Sequence, residues 1–162
     1  MTIFEEGRGQ LLSAIDQIPE GKAHRRISED SWSIVEVLEH LILIEKVITK
    51  NFVKALNQQE DHETPQHPVH LSARPRPVVE APDYVVPAGR YETIAEAKGA
   101  LHQSRIKFKA VLENIEDQSI LDKRSFPHPI FGEMQLAQWI DFIGYHEQRH
   151  RKQIEEILAK AE

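Results

Sequence analysis

LAQWIDFIGYHEQRHRKQIEEIL, residues 136–158, carries an apolar stripe with two imidazoles set into it. Leu136, Ile140 and Ile143 begin the stripe, His146 and His150 continue it, and Ile154 and Ile157 complete it. The steps of four, three, three, four, four and three residues are those of one helix face. Both histidines therefore occupy slots where a helix facing a core places apolar side chains. Ring nitrogens in such slots must find partners or cost stability. Their i,i+4 spacing puts them about one turn apart on one face, close enough to chelate one ion.

Three more stretches carry the same period. The first runs from Ile3 to Ile18, with Phe4, Leu11, Ile15 and Ile18 on one face and Pro19 and Gly21 after it. The second opens at WSIVEVLEHL, where Ser33 and Glu36 read as a capping box and Trp32 as a staple onto Val37. Ile34, Val37, Leu38, Leu41, Ile44, Ile48 and Phe52 carry it to about Asn57. The third opens at Thr93, with Glu96 repeating the box, and shows Ile94, Ala97, Leu101, Phe108, Leu112 and Ile115. The fourth is expected from Gln135 to Lys160. With no strand alternation elsewhere and no internal repeat, the reading is all-α: one four-helix-bundle domain over residues 1–162.

The helical period disappears between Gln58 and Arg90, where six of the nine prolines fall. A connection that long is usually functional or mobile. It can also cross the length of a bundle, so helices two and three need not be antiparallel neighbours. A shorter segment, Glu116 to Met134, with Phe126, Pro127, His128, Pro129, Ile130, Phe131 and Gly132, is expected to fold over one end of the bundle.

Composition narrows the chemistry. The chain has no cysteine, which excludes thiolate zinc, iron–sulfur clusters, disulfides and a cysteine nucleophile; any metal must be held by nitrogen and oxygen. A net charge of −6 without a basic stripe gives no reason to expect nucleic-acid binding. The opening MTIFEEGRGQ lacks a secretory-signal profile, and the longest apolar runs, such as Leu41 to Ile44, are too short to span a bilayer. No membrane association and a cytoplasmic location are expected.

His40 lies between Val37 and Ile44 at the edge of the second helix's stripe, where it can face the same interior as His146 and His150. Three imidazoles from two helices would hold a divalent zinc, nickel, iron or manganese ion and leave a position open. A single histidine beside an apolar face is more often a core residue bonded to a neighbour. The pair draws its weight from its place in the stripe. Glu147, Gln148 and Arg149 separate the pair, so the H-E-x-x-H arrangement of metalloproteases is absent. His62, His67 and His70 in the proline-rich loop could form a second site, although a solvated loop is the simpler reading. His24, His102 and His128 are expected at the surface or at caps, and Arg149, Arg151 and Lys152 on a solvated face. Trp32 and Trp139 are expected as staple and core aromatics. Glu36 and Glu147 lie near the histidines in sequence, but neither can be named as a general base.

WSIVEVLEHL, the segment HPIFGEMQLAQWIDFIGYHEQRH and the trailing RKQI together resemble the DinB/YfiT-like superfamily. The resemblance covers all four helices in order. It implies a four-helix bundle holding one divalent ion on one histidine of the second helix and two of the last, here His40, His146 and His150. It also implies a homodimer and a small-molecule substrate, with a low-molecular-weight thiol for thiol-dependent S-transferases of the family or water for its hydrolases. The alternative is a non-catalytic metal-binding or stress-response protein whose ion only stabilises the bundle. The long loop is poorly matched by the family.

Overall fold

The computed structural model describes residues 1–58, 60–75 and 82–160. Four helices dominate it: α1 (Ile3–Asp16), α2 (Ile34–Gln58), α3 (Ile94–Glu113) and α4 (Leu136–Lys160). The helix starts follow the capping chemistry. Thr2 accepts from the Glu5 amide at the head of α1. Ser33 and Glu36 bond reciprocally, Oγ to the Glu36 amide at 3.3 Å and carboxylate to the Ser33 amide at 3.0 Å. Thr93 accepts from the Glu96 amide, but the Glu96 carboxylate reaches the Thr93 hydroxyl rather than its amide. The remaining free amides of α3, Ile94 and Ala95, are taken by the Glu20 carboxylate at 2.8 and 3.0 Å. Two ends fall short of the periodic pattern: α1 stops at Asp16, and α3 at Glu113, leaving Ile115 half-buried beyond it.

The apolar stripes meet in two clusters, one above the other. The upper joins Leu11 and Ile15 of α1, Ile34 to Ile42 of α2, Ile94, Ala97 and Leu101 of α3, and Ile154 and Ile157 of α4. The lower joins Phe4, Ile48, Phe52, Phe108, Trp139, Phe142 and Ile143. Each fully buried side chain of this size contributes about 1.5–3 kcal/mol. The early residues of α2 and α3 lie in the upper cluster and their later residues in the lower; in α1 and α4 the order is reversed. The helices therefore run up, down, down, up, and α2 and α3 are parallel neighbours. The long connection returns the chain to the starting end, as its length allows.

Two glycines set the α1–α4 contact. A Cβ on Gly7 would overlap the Gly144 carbonyl, and one on Gly144 would overlap the carbonyl of Ile3. The helices cross backbone to backbone there.

The segment before α4 is not only a loop. Ser125–His128 (β1) and Gly132–Gln135 (β2) form an antiparallel hairpin in the register Phe126↔Met134, with Gly132 at φ 76° opening the second strand just after the turn. This corrects the expectation of no strands. Each strand has four residues, the first contains Pro127, and burial does not alternate along either, so no period-two signal arises. The hairpin does cover one end of the bundle, through Phe126 and Met134 in the lower cluster. Arg124 fixes it there, donating to the carbonyls of Ala55 and Leu56 at the end of α2. Among the described residues, no helix is long and apolar enough to cross a membrane.

Candidate metal centre

His40 from α2 and His146 and His150 from α4 come together, all buried, with one potential ligand nitrogen from each lying within 4.8 Å of the others. The His146 and His150 Nε2 atoms are 3.1 Å apart. The far nitrogens of two rings are engaged. Nδ1 of His40 lies 2.8 Å from the Val85 carbonyl, and Nδ1 of His150 lies 2.7 Å from Oε1 of Gln153. A carbonyl oxygen only accepts, so each Nδ1 carries the proton and leaves the Nε2 lone pair free to face the cluster. Such partners commonly fix the tautomer of metal-binding histidines. The His146 ring is stacked on Phe142 at 5.0 Å, and His40 lies 4.8 Å from the Trp32 ring.

Electrostatics keep the rings neutral. Burial pushes the His40 imidazole down to about 4, with Arg149 adding to the effect and the Val85 carbonyl opposing it. Burial likewise pushes His150 down to about 3, helped by His40 and Arg149 and opposed by Gln153. His146 lies well below the ordinary histidine range through burial, its two partner histidines, Arg149 and His128. Neutral imidazole is the form that binds a metal, and nitrogen donors without thiolate suit zinc, nickel or iron. The residues thus fit one divalent ion, with its identity left open by the donor set.

The proline-rich connection supplies part of this site. Its turn Asp83–Val85 carries the carbonyl that orients His40, and Val85 is fully buried. The neighbouring Glu39 carboxylate accepts from the amides of Ala88 and Arg90 at 2.6 and 2.9 Å, holding the connection against α2. Glu39 and His40 therefore grip the same strap.

The other histidines separate. His62 Nε2 pairs with Ser125 Oγ at 2.7 Å, and His67 Nε2 with the Glu133 carbonyl at 2.8 Å. Each fastens the loop to the hairpin, and among the described residues neither they nor His70 join a group of three that could hold a metal. His24 and His102 are exposed as expected, but His128 is not a surface residue. It is buried against Trp139 and Phe142, and its Nδ1 accepts from the Ile130 amide. Trp139 is core, donating to the Phe126 carbonyl, and Trp32 packs half-buried against the upper cluster. Of the basic group after His146, Arg151 pairs with Glu155 on the surface, whereas Arg149 acts on all three site histidines.

A second polar cluster, unforeseen from the sequence, sits between the two apolar clusters. Arg8 of α1, Glu45 of α2, Arg105 of α3 and Glu147 of α4 close a ring in which each guanidinium meets both carboxylates, at 2.7–3.1 Å. All four are buried. Ser104 also donates to Glu45, and Arg8 to the Leu101 carbonyl. Burial works against the charge on Arg8, but Glu147 and Glu45 outweigh it and raise the guanidinium above its usual value. Burial raises the Glu147 carboxyl, against the pull of Arg8 and Arg105. A usable signal was present: Arg8, Glu45 and Arg105 each stand four residues after one stripe residue and three before the next. The reasoning that singled out His146 would have found them. Glu147 is thereby turned away from the histidines, and Glu36 is committed to the α2 cap and to Arg26 at 2.9 Å.

Comparison with known proteins bears on the family and the fold. The chain is 30% identical over 162 residues to the uncharacterized protein YuaE of Bacillus subtilis (strain 168), covering 100% of this chain and 99% of that one. Two solved structures share the fold at 19% identity. The four-helix bundle protein TT2238 matches with a TM-score of 0.62 over 95% of this chain and 94% of its own. YfiT from Bacillus subtilis, described as "a probable metal-dependent hydrolase with an unusual four-helix bundle topology", matches with a TM-score of 0.61 over 97% and 82%. The DinB superfamily model matches residues 3–154, covering α1 to α3, α4 as far as Ile154 and the three histidines, and the chain belongs to that superfamily.

Proposed function

We propose that the protein is a metal-dependent enzyme acting on a small molecule, either as a thiol-dependent S-transferase or as a hydrolase. The observation that carries this reading is the convergence of three buried, neutral imidazoles from two helices. A divalent ion bound there would supply Lewis acidity, drawing a thiol or a water toward its deprotonated form near neutral pH. The chain's own part is to orient His40 through the Val85 carbonyl and His150 through Gln153, with Phe142 stacked on His146 and Trp32 packed beside His40. Three protein donors leave room for a substrate atom, which supports a catalytic over a purely structural ion. Neither Glu147 nor Glu36 serves as general base, since both carboxylates are engaged elsewhere.

The test is a cobalt(II)-loaded sample titrated with a small thiol, followed by turnover assays with an activated aryl halide and with an activated ester. A thiolate-to-cobalt absorption band together with aryl thioether formation supports the transferase. Ester turnover without the band supports the hydrolase. Failure of both, with cobalt bound, favours the non-catalytic alternative.

A further inference from the structure

We infer that the ring of Arg8, Glu45, Arg105 and Glu147 positions the histidines, by setting the rotation and height of α4 so that His146 and His150 face His40. The inference rests on the reading of the triad as a metal site.

Each helix contributes one member of the ring, and each member marks the boundary between the two apolar clusters on its helix. Glu147 follows His146 directly, so about 100° of helix rotation separates the two side chains. With Glu147 bonded to Arg8 at 3.0 Å and to Arg105 at 2.7 Å, His146 and His150 are left on the side of α2. A slip of one residue along α4 would aim Glu147 into apolar surroundings and leave two guanidinia sharing one carboxylate. Apolar stripes alone discriminate against such slips weakly, because a leucine or isoleucine accepts many neighbours. Paired buried charges discriminate strongly, because every alternative leaves a charge unpaired. Phe4 adds to the constraint: the Arg105 guanidinium lies 4.0 Å above its ring. Among the described residues no hydrogen bond or ion pair joins the ring's side chains to those of His40, His146 or His150, so its effect on the site passes through the placement of α4.

The test compares the wild type with a quadruple variant, Arg8→Met/Glu45→Leu/Arg105→Met/Glu147→Leu, which removes the ring without leaving a charge unpaired. Cooperative urea unfolding checks that the variant folds. Cobalt(II) affinity and the cobalt d–d spectrum read the site. The expected result is a folded variant whose cobalt dissociation constant rises at least tenfold, with altered d–d bands. Phe108→Leu, a core change outside the ring, is expected to keep wild-type affinity and spectrum despite lower stability. If the quadruple variant does not fold, Arg105→Lys carries the test, since it keeps the charge and loses the fork; a several-fold weaker affinity with altered bands is expected. Wild-type affinity and spectrum in the variant that folds would overturn the proposal.

Should the wild type take no cobalt, the metal reading fails by itself, and imidazole 15N spectra of the metal-free protein decide the positioning role. His40 and His150 are expected as Nδ1–H tautomers in the wild type and as tautomer mixtures in the variant. Identical spectra would overturn it.

Discussion

Two polar clusters interrupt the core of this bundle, and they differ in whether they are complete. In the charged ring, Arg8 and Arg105 each bond both Glu45 and Glu147, and net charge cancels within the ring. In the histidine cluster, the outward nitrogens of His40 and His150 have partners, while among the described residues the inward Nε2 atoms of His146 and His150 meet each other at 3.1 Å. A cluster that satisfies itself has a structural use. One that engages the outer nitrogens of two rings and converges the inner ones fits an ion, which is the reading we propose for it. Burial alone would not have told the two apart, since both are buried to a similar degree.

The contrast can be broken by experiments that act on one cluster and spare the other. Acid should have the largest effect, through the histidines. An unfolded histidine binds its proton near pH 6.5, whereas folded His40 does so at about 4 and folded His150 at about 3. Between those values the unfolded chain holds more protons, so metal-free stability is full above pH 6.5 and falls as pH drops below it. Glu147, raised by burial, takes up a proton first in the folded chain and opposes this in part. Urea midpoints measured from pH 8 to pH 5 should fall below 6.5, and more shallowly in His40→Ala/His146→Ala/His150→Ala. A flat wild-type profile would break the assignment of three buried neutral imidazoles.

Next in size is Glu147→Leu, which leaves two buried guanidinia on one carboxylate and should cost roughly 3–5 kcal/mol in denaturant unfolding. A change below about 1 kcal/mol would mean the ring is not closed as described. Zinc added at a hundredfold excess over its dissociation constant should stabilise the wild type by about 2.7 kcal/mol and leave His146→Ala/His150→Ala unchanged. Smallest is Gln153→Leu, which frees the outer nitrogen of His150 and should weaken metal binding at least about tenfold, or about 1.4 kcal/mol, in a calorimetric titration.

The four helices were legible because each shows the 3.6 period over several turns, and the capping residues Ser33 and Thr93 mark the starts of α2 and α3. His146 and His150 were legible for the same reason, as polar residues in apolar slots. His40 stood at the edge of its stripe and took its role from the family resemblance. The hairpin was hidden by its shortness, and its Trp139 contact is a tertiary one that no local pattern encodes. Also hidden was the part played by Val85, whose contribution is a backbone carbonyl and carries no side-chain signature. The ring was written in the stripes but passed over, because single charged residues on a helix are usually solvated.

Metal content tests the central claim most directly. Wild-type protein and the His146→Ala/His150→Ala variant, dialysed against the same zinc buffer and then against zinc-free buffer, are analysed for zinc per chain. The account expects one zinc per chain in the wild type and none in the variant, with both folded by circular dichroism. Equal zinc in the two, whether one or none, would contradict it.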